Sequence, residues 1–104
     1  MTERLRLQNR RASTFFDFTS MNMKFTASIS RDADGKVAEL FCDNHKAGSH
    51  VGTLVRDAAI ILSFALQHGA DIESIRKALG RDGAGNALGP LGAALDAISA
   101  GAER

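Results

Sequence analysis

MKFTASISRDADGKVAELFC, residues 23–42, decides how the rest of the chain is read. Met23, Phe25, Ala27 and Ile29 alternate with Lys24, Thr26, Ser28 and Ser30. That period of two puts one set on each face of a half-buried strand. Asp32-Ala33-Asp34-Gly35 has the chemistry of a tight turn, with Gly35 free to take the positive φ that closes a hairpin. Lys36–Cys42 then reads as the returning strand. Just upstream, STFFDFT (Ser13–Thr19) is rich in aromatic and β-branched residues and reads as the first. The connections are short, so an antiparallel meander is the simplest sheet.

From Gly48-Ser49 onward the period becomes helical. Val51, Leu54, Val55, Ala58, Leu62, Ala65 and Leu66 recur at three- and four-residue spacings. Ile60, Ile61 and Phe64 widen the stripe, which predicts a helix covered on most sides. Gly69 suits the left-handed position that stops it. Asp71 caps a shorter helix with Ile72, Ile75, Ala78 and Leu79 inward, and Gly80 ends it. Arg81–Gly89 reads as a loop, and Pro90 opens a third helix running through Ala100. Strands followed by helices give the α+β class: a three-stranded antiparallel meander with two or three helices packed on one face. Residues 1–12 form an N-terminal arm and residues 13–104 a single domain.

With 104 residues, 44% of them apolar and 24% charged, the chain has ordinary globular composition rather than that of a disordered segment. Thirteen basic against twelve acidic side chains leave a net charge of +1, so overall charge implies no polyanionic partner. Arg4, Arg6, Arg10 and Arg11 do crowd the arm, but no aromatics are interleaved there, and no nucleic-acid partner is expected. One cysteine excludes an internal disulfide and suits a reducing compartment. No apolar run follows the basic N-terminus, and Ala58–Leu66 is too short to span a bilayer. A soluble, cytoplasmic chain without a membrane partner is the expectation.

LFCDNHKAGSH, residues 40–50, concentrates the side chains with chemical potential. Cys42, His45 and His50 are too few for a structural zinc, and His68 lies at the far end of a helix of roughly 28 Å. No metal or other cofactor is expected. Cys42 as a thiolate with His45 as base would need an accessible, activated sulfur, whereas its place in the strand pattern marks it as a packing residue. No catalytic residue is assigned. Lys46, Gly48, Ser49, Gly52 and Thr53 surround a helix start, where unpaired N–H groups favour an anion, although the spacing is not that of a Walker A loop. With Arg11 as a second cation, Lys46, Gly48, Ser49 and Thr53 make a candidate anion or nucleotide site. The simpler role is that Gly48 turns the chain and Ser49 caps the helix.

The flanking strands carry apolar groups on both faces. Phe15 cannot share a face with Phe16, nor Phe41 with Leu40. Phe15, Val37 and Phe41 are therefore expected on the face away from the helices, where a homodimer contact would cover them. The arm or the third helix folding back over this face is the alternative.

Four segments also resemble, in order, the C-terminal region of adenosylcobalamin-dependent (class II) ribonucleotide reductases, part of the TSCPD domain family. They are RLRLQNRRASTFFDF, KFTASISRDADGKVAELF, HKAGS and ILSFALQHGAD. The matching positions are Arg6, Arg11, Thr14, Asp34, Gly35, Glu39, Phe41, Lys46, Gly48, Ser49, Ser63, Ala65, Leu66, Gln67 and Gly69, within about residues 4–79. Gln8 stands where that family usually has proline, and GSHVG replaces its cysteine motif. Beyond Gly80 the chain is similar only to small free-standing relatives. The resemblance implies a free-standing, non-catalytic accessory or binding module linked to nucleotide metabolism, with a ribonucleotide reductase or another protein of that metabolism as partner. Reduction itself needs a thiyl-radical cysteine, a redox pair and a large barrel, which one cysteine in 104 residues does not supply.

Overall fold

A computed structural model describes residues 13–102. The chain runs β1 (Thr14–Ser20), β2 (Met23–Arg31), β3 (Val37–Asn44), α1 (His50–Gln67), α2 (Ile72–Ala78) and α3 (Pro90–Ser99). The strands form one antiparallel sheet in the order β1-β2-β3, and the fold is α+β.

The two hairpins close differently. Asp32 organises the second: its Oδ1 accepts from the N–H groups of Asp34 and Lys36 at 2.9 and 3.0 Å, and Gly35 takes φ +82°. The first turns on Met21 and Asn22, both left-handed at φ 54° and 60°. A two-residue hairpin loop requires this, and asparagine accepts it more readily than methionine. A turn of the second kind recurs later, in the loop expected over Arg81–Gly89. Asp82 Oδ1 accepts from the N–H groups of Ala84 and Asn86, both at 2.9 Å, and Gly85 takes φ +87°. Arg31 and Arg81 each donate to the carbonyl of that turn's glycine, at 2.9 and 3.0 Å.

Register sorts the strand side chains. Thr14↔Ile29↔Leu40, Phe16↔Ala27↔Cys42 and Phe18↔Phe25↔Asn44 form rows on the helix side. Phe25, Ala27, Ile29, Leu40 and Cys42 are buried there against Val55, Ala59 and Leu62 of α1 and Ala94 and Leu95 of α3. Phe18 stacks on Phe25 with centroids 5.3 Å apart. Val37 departs from expectation. Ser30 pairs with Glu39 but Arg31 with Val37, so Ala38 is an extra residue and the alternation inverts beyond it. Val37 therefore joins the core at 8% exposure instead of lying on the outer face with Phe15 and Phe41.

α1 lies along the free edge of β3. Ser63 Oγ accepts from the Leu40 N–H (2.9 Å) and donates toward the Leu40 and Ala59 carbonyls (3.0 and 2.9 Å). Gln67 Nε2 donates to the Ala38 carbonyl at 2.9 Å. These side chains satisfy the backbone groups that β2 leaves unpaired. A helix placed on the margin of the sheet is covered on one side, not most. Gly52, Val55, Ala59, Leu62, Ser63 and Gln67 are buried, whereas Leu54 and Ile61 are 69% and 70% exposed. The wide apolar stripe in the sequence thus exceeds the surface available to bury it.

Candidate functional site

Asn44, at the end of β3, builds the turn that leads into α1. Its Oδ1 accepts from the Lys46 N–H (3.1 Å) and the Ser49 hydroxyl (3.0 Å), while its Nδ2 donates to the Lys24 carbonyl (3.2 Å). Gly48 reverses the chain at φ +73°. Ser49 Oγ then accepts from the Gly52 N–H at 2.9 Å, capping the helix. A Cβ at Gly52 would stand 2.8 Å from that oxygen, so only glycine fits without displacing the cap. Thr53 sends its N–H and hydroxyl back to the Ser49 carbonyl (3.1 and 3.4 Å). Lys46, Gly48, Ser49 and Thr53 are thus gathered in one turn, with the Lys46 side chain exposed beside it. Arg11 lies outside the described residues. Asn44 carries no signal of this role in the sequence, because its side chain acts only once β3 and α1 are in place.

A second polar cluster occupies the outer face of the sheet. Asp17, Thr26 and Asp43 form one row across the three strands. Thr26 Oγ1 donates to Asp17 Oδ1 at 2.5 Å, and His45 Nε2 lies 2.8 Å from the same hydroxyl. A hydroxyl has one proton, and Asp17 receives it, so His45 Nε2 is the donor toward Thr26. His45 is therefore not positioned as a base for this oxygen. Asp43 binds Arg56 at 2.8–2.9 Å. The next row is Phe15–Ser28–Phe41, with the two rings 68% and 48% exposed. These residues come from separate strands, so only the register unites them.

Cys42 faces the opposite way, into the core. It is 1% exposed, and burial, followed by the neighbouring Asp43 carboxylate, pushes its thiol up to about 12. A thiol so protonated is a poor nucleophile at neutral pH. Cys42, His45 and His50 do not converge, and among the described residues no three His, Cys, Asp or Glu side chains are placed to hold a metal ion. None of the described helices is long and apolar enough to cross a membrane.

An apolar groove of about 340 Å³ lies between the first hairpin turn, the N-terminal half of α1 and the segment entering α3. Met21, Val51, Leu54, Leu79, Leu88 and Leu91 line it. Nothing in the strand or helix periods announces this groove, since it needs the Met21 turn and the loop after α2 to meet beside α1.

The family model of the TSCPD domain matches residues 2–100. No curated protein and no solved structure matches the chain.

Proposed function

The chain belongs to the TSCPD domain family, the domain found in B12-dependent ribonucleotide reductases, and on that footing we propose that it is a free-standing, non-catalytic binding module serving nucleotide metabolism. The state of its one cysteine carries this reading. Ribonucleotide reduction passes through a thiyl radical and draws two electrons from a second pair of thiols. This chain has a single thiol, buried in the core and held protonated. What it offers instead is surface, and the partner we propose is a ribonucleotide reductase or another protein of nucleotide metabolism. The test is affinity capture of the full chain from its host with mass spectrometry, beside an activity assay with adenosylcobalamin, nucleotide and dithiol. A reductase chain should copurify, and the module alone should form no deoxynucleotide. Deoxynucleotide product would overturn the non-catalytic reading; capture without any such partner would overturn the metabolic link.

A second reading rests on the turn at the start of α1. Lys46 stands beside a helix N-terminus whose first turn contains no acidic residue, a setting that favours phosphate or a nucleotide. Loss of one charge-assisted contact should weaken binding about tenfold or more. Titration of inorganic phosphate and nucleotides should therefore separate wild type from Lys46→Ala. Silence from the wild type, or equal binding by both, removes this reading.

A further inference from the structure

We infer that the outer face of the sheet is a slot for an arginine side chain presented by a partner protein, held between the rings of Phe15 and Phe41. This deepens the binding-module reading, on which it rests, by naming what the partner presents. Register sets Phe15, Ser28 and Phe41 side by side on three adjacent strands. The two rings therefore rise from backbones roughly 9.5 Å apart, with only the small Ser28 between them. That spacing admits one planar group at about 3.5–4.0 Å from each ring. The cleft between the rings has a volume of about 100 Å³ and is lined also by Ser28, Thr26 and Asp43. A cavity of about 150 Å³ holds benzene, so this one suits a guanidinium and is small for a nucleobase.

Charge makes the same choice. Asp17 and Asp43 occupy the row on one side of the rings, and Glu39 lies in the row on the other. Carboxylates therefore border the slot at both ends. Of the basic groups nearby, Arg56 is held by Asp43, His45 hydrogen-bonds Thr26, and Lys24 stands two rows away. This setting favours a cation, whereas a phosphate-bearing ligand would meet like charge. A second copy related by a two-fold near the slot would likewise set carboxylates against carboxylates. Between the two long basic side chains the slot selects arginine. Its guanidinium is planar, stacks on aromatic faces and offers carboxylates a fork of donors, while the lysine ammonium is a compact, strongly hydrated charge. The same surface already displays part of this recognition, because Asp43 Oδ1 takes the Arg56 guanidinium at 2.8–2.9 Å. The Ser28 hydroxyl adds an acceptor within the slot.

Fluorescence anisotropy with the full chain decides the matter, using labelled arginine and lysine peptides of equal length and charge. Wild type should bind the arginine peptide about five-fold or more tightly than the lysine peptide, the scale of a cation–π contact. Phe15→Leu and Phe41→Leu keep apolar bulk at these exposed strand positions but remove the ring, and each should abolish that preference. Unchanged circular dichroism would confirm that each variant is folded. No binding of the arginine peptide, equal binding of the two peptides, or a preference kept in both leucine variants overturns the proposal. A wild-type dimer lost in both leucine variants would put a second copy in the slot and overturn it. Peptide uptake only after Arg4, Arg6, Arg10 and Arg11 are changed to serine would put the chain's own arm there, with the same consequence. Reductase capture that persists in both leucine variants would overturn this contact and leave the proposed function standing.

Discussion

Ser63→Ala is expected to lower the unfolding free energy by about 2–4 kcal/mol, since each buried backbone group left unpaired costs about 1–3 kcal/mol. The hydroxyl accepts from the Leu40 N–H and donates toward the Leu40 carbonyl, and both residues are buried. Alanine removes a small volume but leaves two polar groups facing an apolar helix. Ala59 loses less, because its carbonyl is also within the backbone ladder of α1. Urea denaturation followed by circular dichroism measures the difference. A loss below about 0.5 kcal/mol, the scale of a neutral surface change, would show that Ser63 does not hold the edge of β3.

Asp96 is the second position where a large effect is expected. Its carboxylate accepts from Arg81 at 2.7 and 2.8 Å and from Arg76 at 3.0 Å, joining α3 to α2 and to the loop between them. Arg81 also donates to the Arg76 carbonyl at 3.0 Å. The hydrogen bonds from Arg81, then those from Arg76, hold the Asp96 carboxyl down at about 2. A folded-state value below the unfolded one means that stability is present above pH ~4 and is lost as pH falls toward 2. Because the cluster is partly solvated, Asp96→Asn should cost about 1–2 kcal/mol at pH 7. Thermal melts between pH 7 and 2 check both points: wild type should lose its advantage over the variant across the acid limb. Parallel curves at every pH would refute this role for Asp96. The carboxyls of Asp71, Glu73 and Asp82 are also lowered, each chiefly by local hydrogen bonds, and act in the same direction.

The parts of this fold legible in the sequence are those set by local chemistry. Alternation over Met23–Ser30 reports a sheet with one buried face, and Gly35, Gly69, Asp71 and Pro90 mark where elements turn, stop or begin. What escaped depends on pairing between distant segments. Val37 reaches the core because of a bulge, and periodicity has no term for one extra residue. The Met21-Asn22 turn was unmarked because methionine is an uncommon left-handed residue. Arg76, Arg81 and Asp96 carry no mutual signal in the sequence, because they come together only when three segments meet. The site was legible in the same uneven way. Lys46, Gly48, Ser49 and Thr53 are neighbours in sequence and stay together in space, whereas His45 meets Thr26, and Asn44 the Lys24 carbonyl, only across the strand register.

Ser63 and Gln67 also bear on what the folded protein does when crowded. Fibrous growth by strand addition needs two open sheet edges on every unit, one to receive a neighbour and one to offer. Here the Leu40 and Ala38 groups of β3 are already occupied from within the same chain. The β3 edge is therefore closed to strand addition at Leu40 and Ala38, and a sheet open at one edge at most stops after a single pairing. Polymerisation by this route first requires α1 to peel away from β3. Resistance to fibril formation is thus tied to a helix contact, and Ser63→Ala weakens both together.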